Sequence, residues 1–277
     1  MPPPPPSHKV PKKRALGLKE WLLLLVYCFV TVCALVGLGI DIYDWFLERN
    51  AKNAAAERAN RKPSFRPYNP SPADTAVNPK DGLTYVRIPA GRLEFGCSVG
   101  DKECYSDENP PLIVPIAQPF WIGQTDVTQA AFERVTGKNP SRWKGADLPA
   151  DSVTWEEARS YCSAIGGRLP TEVEWEYAAR GGTDGSRYGE LGQIAWYRAN
   201  SSGRTHVVKT KAPNAYGLYD MLGNIRQWTA EWYKIDKLRM LRGGSWNADP
   251  KTLRASFRFG NTPDERWGSI GFRCIGK

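Results

Sequence analysis

Histidine is almost missing from this chain: His8 and His206 are its only two in 277 residues. A metal centre that needs three imidazoles cannot be assembled from them. His206, in Ser202-Gly203-Arg204-Thr205-His206, reads as a structural hydrogen-bonding residue rather than a catalytic base. Cysteine is absent between Cys162 and Cys274, so that whole stretch offers no soft thiolate ligand. A dense basic stripe is absent too. The formal charge of +9 divides between the first 82 residues and the remainder, which holds 26 Lys and Arg against 22 Asp and Glu. The second part is close to balance, and no nucleic-acid partner is expected. No internal repeat is evident.

What is present begins with a long apolar run. Residues 21–40, WLLLLVYCFVTVCALVGLGI, carry no charge over 20 positions. A helix rising about 1.5 Å per residue would match a hydrocarbon core about 30 Å thick. Lys9, Lys12, Lys13, Arg14 and Lys19 precede the run, whereas Asp41, Asp44 and Glu48 follow it. This asymmetry predicts a cytoplasmic N-terminus and a C-terminal bulk that is periplasmic or extracellular. No small-x-small site closes the run, so it reads as an uncleaved, single-pass signal anchor. The expected organisation is a cytoplasmic tail over 1–20, a transmembrane helix over 21–42, a helical then Pro-rich linker over 43–82, and one domain over 83–277.

Inside that domain, residues 83–95 alternate apolar and polar side chains as a strand pair around Pro89-Ala90-Gly91 would. Phe120-Trp121-Ile122-Gly123 reads as another strand. Thr154 and Thr171 each stand three residues before a glutamate, the capping-box spacing that opens a helix. A third helix is predicted over 129–135. Beyond Gly181 the text is rich in Gly, Asn and Trp and predicts loops and short strands. Nine of the eleven tryptophans lie after residue 82, which points to burial supplied by a few large rings. The four cysteines of an exported domain meet oxidising conditions and read as bridges, with three pairings open.

Several segments, in order, carry a family resemblance. They are Val86-Arg87-Ile88-Pro89-Ala90-Gly91, the stretch 149–155, Gly167-Arg168-Leu169-Pro170-Thr171-Glu172-Val173-Glu174-Trp175, the stretch 214–224, Leu241-Arg242-Gly243-Gly244-Ser245-Trp246 and Gly271-Phe272-Arg273-Cys274. Together they resemble the formylglycine-generating enzymes, also called sulfatase-modifying factors. The resemblance implies an α+β domain of the C-type-lectin-like kind, with little regular secondary structure and a concave face. It also implies a Cys162–Cys274 bridge, whose long loop would contribute on the order of 4 kcal/mol. Cys97 and Cys104 are left as a short local staple.

Enzymes of that family place two cysteines shortly after Gly-Gly-Ser, where thiolates bind copper and activate oxygen. Residues 243–253 here contain no sulfur, and Ala, Asn and Leu cannot hold copper. Relatives that form sulfoxides use histidine-ligated iron, for which the imidazoles are lacking, so neither copper nor iron is expected. The alternative is a family oxidase, a nonheme metal enzyme with an unrecognised site such as Asp220, Asp249 and Asp264. Ser245 has no evident base beside it. The segment 220–228 resembles the family's calcium loop: Asp220, Gly223 and Ile225 keep their places, while Gln227 replaces a glutamate and Arg226 a tryptophan. Losing a carboxylate and gaining a guanidinium predicts weak or absent calcium. The expected function is therefore a membrane-anchored binding or scaffold module, a non-catalytic family member serving as an accessory subunit of a membrane complex or binding a protein partner, with a glycan as the other candidate ligand. Trp246, Asn247, Asp249, Arg258 and Trp267 are the residues expected to meet that partner.

Overall fold

Three helices begin where a threonine can satisfy a free amide. Thr128, Thr154 and Thr171 lie in extended backbone, and their hydroxyls accept from the amides of Ala131, Glu157 and Glu174. They open α1 (Gln129–Thr136), α2 (Trp155–Ala164) and α3 (Glu172–Arg180). Glu157 and Glu174 reach back to their caps' amides, closing both predicted capping boxes, each cap being worth about 1 kcal/mol. Gly137 and Gly181, in left-handed backbone, end α1 and α3. A single turn, α4 (Leu191–Ile194), follows.

The computed structural model describes residues 74–276. The expected cytoplasmic tail, the transmembrane segment over 21–42 and most of the linker lie outside the described residues. Within them, no helix is long and apolar enough to cross a membrane. The ordered sheet takes in part of the stretch expected to be linker, because β1 (Thr75–Val77) pairs with β2 (Thr84–Ile88). The other strands are β3 (Gly91–Phe95), β4 (Leu112–Ile116), β5 (Phe120–Gly123), β6 (Arg226–Lys234), β7 (Leu238–Arg242), β8 (Phe259–Asn261), β9 (Ile270–Gly271) and β10 (Ile275–Gly276). They form one sheet ordered β1-β2-β5-β10, a pair β3-β4, and a second sheet ordered β8-β7-β6-β9, in which β6 and β9 run parallel.

One expectation needs correction. Residues 83–95 do supply two strands, but these are not partners: β2 pairs with β5 through Val86 and Ile122, whereas β3 pairs with β4. Alternation marks a strand without naming its neighbour, and burial of Val86, Ile88 and Ile122 commits β2 to the core sheet. The region after Gly181 consists mostly of loops and short strands, as expected, except that β6 runs for nine residues and forms a hairpin with β7. Register shifts between Trp228 and Lys234 interrupt the alternation, which hides the strand from a period-two reading.

Two apolar clusters pack around tryptophans. Trp175 sits with Val86, Ile88, Ile122, Leu218 and Met221, and Trp228 with Phe132, Tyr161, Leu241 and Phe272. Each buried indole keeps a partner: Trp175 donates to Gln227 Oε1 (2.6 Å) and Trp228 to the Val153 carbonyl (2.9 Å). Cys162 is bonded to Cys274, tying α2 to the chain between β9 and β10, and Cys97 is bonded to Cys104. The result is a mixed α and β domain with few helices, whose final loops, 243–253 and 262–269, meet at the start of β6.

Candidate functional site

The segment after β7 turns on two glycines in left-handed backbone, Gly243 (φ 90°) and Gly244 (φ 69°). A Cβ on Gly244 would lie 2.5 Å from Leu253 Cδ2 and 3.5 Å from Ala248 Cβ. The chain therefore doubles back so that Ala248 and Leu253, both buried, cover this turn with hydrocarbon. Asp249 does not reach toward them; its Oδ1 accepts from the Lys251 amide (3.1 Å) and caps a short 3-10 turn. Ser245 Oγ donates to Asn247 Oδ1 (2.7 Å) and accepts from Arg226 Nη1 (2.6 Å). Neither neighbour can take its proton, so the hydroxyl is a positioned link rather than an activated nucleophile. All four cysteines of the described residues are in disulfides and present no thiolate to copper.

The calcium-loop residues are close together but differently employed. Gln227 is buried and its Oε1 accepts from both Trp175 and Arg273 (2.6 and 2.8 Å), while its Nε2 donates to the Asp220 carbonyl (2.9 Å). Asp220 Oδ2 accepts from the Lys209 amide (2.8 Å), and Gly223 donates its amide to Gly243. Ile225 sends its side chain into the core. Only Asp220 Oδ1 is a buried carboxylate oxygen of this set without a hydrogen-bond partner. Burial raises the Asp220 carboxyl to about 6, weakening it further as a permanent anion. A hard cation needs six or more oxygens, and two side-chain oxygens of this set, Gln227 Oε1 and Asp220 Oδ2, already accept hydrogen bonds. Among the described residues no group of three or more His, Cys, Asp or Glu side chains could hold a metal ion.

Of the five residues expected to face a partner, the structure brings three toward one place. Asn247 is exposed beside Ser245; Trp246 packs edge-on against Trp143 (5.3 Å between centroids) and donates to the Gly268 carbonyl, next to the exposed Trp267. Asp249 is engaged in its cap. Arg258 is drawn elsewhere, its Nε 2.6 Å from Glu172 and its Nη1 donating to the Asp107 carbonyl. His206 plays the structural part: it stacks on Trp196 at 3.8 Å, and its backbone bonds the Asn224 amide group in both directions.

The domain also holds a buried charge network that the sequence did not announce. Arg242, two residues before Gly244, contacts Glu172 (2.9 Å) and Glu176, which also holds Arg180 (2.8 Å). Arg254 is bidentate to Glu108 (2.6 and 2.7 Å). The spacing of Glu176 and Arg180, one helical turn apart, was the available signal. Arg226 contrasts with these arginines in having no carboxylate beside it. It is half-buried, its Nε is enclosed without a hydrogen-bond partner, and burial pushes its guanidinium down to about 10, still charged at neutral pH. The stacked Phe259 ring (5.1 Å) and the Ser245 hydroxyl are its companions, with Asn247 Oδ1 at 3.5 Å.

Comparison with known proteins places this architecture. Residues 71–277 match the sulfatase-modifying factor enzyme 1-like domain. Over 231 residues the chain is 33% identical to the Inactive C-alpha-formylglycine-generating enzyme 2 of Bos taurus, covering 72% of this chain and 74% of that protein. It is 29% identical over 297 residues to the Formylglycine-generating enzyme of Streptomyces coelicolor, covering 74% and 94%. The solved structure of Treponema denticola variable protein 1 superposes with a TM-score of 0.66 at 27% identity, covering 73% of this chain and 98% of that one.

Proposed function

Because the chain belongs to the family of sulfatase-modifying factor enzyme 1-like domains, we propose that it is a non-catalytic member: a membrane-anchored, extracytoplasmic module that binds a protein partner as an accessory subunit. The observation that carries this reading is the turn at Gly243-Gly244, closed by Ala248 and Leu253 instead of sulfur. Oxygen activation on copper needs soft ligands, and an apolar plug excludes both the metal and its substrate from that spot. The name borne by the bovine relative supports the same reading. The anchor over 21–42 and the acidic flank after it support an exported domain, as do two disulfides, which persist in oxidising compartments. Calcium at Asp220, Gly223, Ile225 and Gln227 is weak or absent, because the amide oxygen of Gln227 already receives two donors.

The test is metal analysis of the purified full chain combined with an oxygen-uptake assay. The expected result is no stoichiometric copper or iron and no oxygen consumption above buffer. Stoichiometric metal with turnover would make the chain a family oxidase. Gentle detergent extraction followed by co-purification then identifies the partner.

A further inference from the structure

The distribution of arginines is uneven. Nine arginines among the described residues lie within 4 Å of a carboxylate. Of the other arginines, three border one segment, 245–247: Arg142, Arg198 and Arg226. Arg226 holds Ser245. Arg198, exposed, donates from Nε to the Asn247 carbonyl (3.3 Å). Arg142 stacks on Trp143 at 4.7 Å, the ring that meets Trp246 edge-on, and its stem runs along Gly268, whose carbonyl Trp246 bonds.

A guanidinium taken partly out of water without an acid is costly; Arg239, half-buried and also without one, is instead held between the Trp155 and Trp232 rings at 3.5 Å each, whereas Arg226 has only the more distant Phe259 ring. Arg226 cannot relax to an internal acid, because its one close side-chain partner, Ser245, is fixed on the other side by Asn247. What would complete it is an external planar anion: a carboxylate accepts from adjacent guanidinium nitrogens in a fork geometry that a single hydroxyl cannot imitate. Tryptophan beside arginine is also the composition that dominates protein interfaces.

We infer that the Arg226–Ser245–Asn247 cluster, flanked by Arg198 and Arg142, receives a carboxylate side chain from an acidic segment of a partner protein. The inference rests on the binding-module reading and gives that partner a chemistry. Aspartate or glutamate enters beside Trp246 and pairs with Arg226, while neighbouring acids meet Arg198 and Arg142. The flanking pairs are solvent-exposed, so they contribute mainly to encounter and weaken with salt; the half-buried Arg226 pair sets the lifetime.

The full chain in non-ionic detergent is titrated into fluorescein-labelled poly-L-glutamate and followed by anisotropy. Saturable binding that weakens as salt rises is expected, with Arg226→Leu lowering affinity at least about tenfold and Arg198→Leu about threefold. Arg92→Leu, an exposed arginine on β3 with the same change of charge, is expected to leave affinity within about twofold. Melting curves accompany each variant; should Arg226→Leu not fold, Arg198→Leu on the surface decides. If Arg198→Leu and Arg226→Leu bind like the parent, or if Arg92→Leu weakens binding equally, the inference is overturned and the attraction is net charge alone. Arg226-dependent binding of a heparin oligosaccharide without Arg226-dependent binding of poly-L-glutamate would overturn it in favour of a sulfated glycan. These outcomes are separable from the non-catalytic reading, because metal content and oxygen uptake are measured on the same preparation.

Discussion

Arg242 and Arg226 begin from neighbouring strands of one sheet and have opposite surroundings. Arg242 is fully buried between Glu172 and Glu176 and donates to the carbonyls of Ala255 and Ser256. Arg226 is half-buried, with a hydroxyl and a ring but no acid. The first arrangement closes on itself and holds α3 against the returning chain, so its removal is a matter of stability. The second is incomplete within the chain, so its removal should cost little stability and much binding. The pair contrasts a desolvated charge that has its counter-charge inside the molecule with one that does not.

The sharpest way to break this contrast is to remove an acid from the closed network. Glu176→Leu strips Arg180 of its carboxylate and Arg242 of one of two, and is expected to destabilise the domain by up to about 5 kcal/mol in equilibrium urea unfolding. A loss below about 1 kcal/mol would show that the network is solvated. Replacing both Cys162 and Cys274 by Ser removes the link between α2 and the C-terminal strand region, with an expected loss of about 4 kcal/mol.

Asp220 stands between the two cases, a buried acid with one engaged oxygen and one unpartnered. Burial raises it from 3.8 to about 6. Between about pH 4 and pH 6 the folded chain therefore keeps a proton that the unfolded chain releases, so this group's contribution falls as pH rises through that window and is flat above it. Asp220→Asn is expected to be more stable than the parent at pH 7 by roughly 2 kcal/mol, the difference shrinking toward pH 4. Equal stability of the two proteins at both pH values would contradict the assignment. In the parent, millimolar calcium should move the melting temperature little; a rise of many degrees, reversed by chelator, would mean that the oxygen set is completed by ligand exchange. The smallest effect is Arg226→Leu, expected within about 0.5 kcal/mol of the parent in unfolding, because losing the ring contact is offset by relieving an uncompensated charge.

What could be read from the sequence was what is local. The capping boxes at Thr154 and Thr171 need only four residues each, and both helices start there. The pairing of Cys162 with Cys274 came from family resemblance rather than geometry. The partnership of β2 was not readable, because its neighbour β5 lies some thirty residues on across a disulfide-closed loop. In the candidate site, the absence of sulfur after Gly-Gly-Ser was plain, whereas its physical replacement was not: that Ala248 and Leu253 converge on Gly244 depends on how the loop folds back. Gln227 was recognised as a changed ligand position, but its capture by Trp175 and Arg273 depends on tertiary packing. Arg258, counted among the partner-facing residues, is held by Glu172, some eighty residues away in sequence, a contact no local pattern announces.

The most direct measurement is to incubate the full chain, supplied with copper and oxygen, with a sulfatase-type peptide bearing a cysteine thiol and to look for aldehyde by mass spectrometry. A turn sealed by Ala248 and Leu253 predicts the unmodified thiol peptide at all times. Catalytic accumulation of the aldehyde peptide would contradict it.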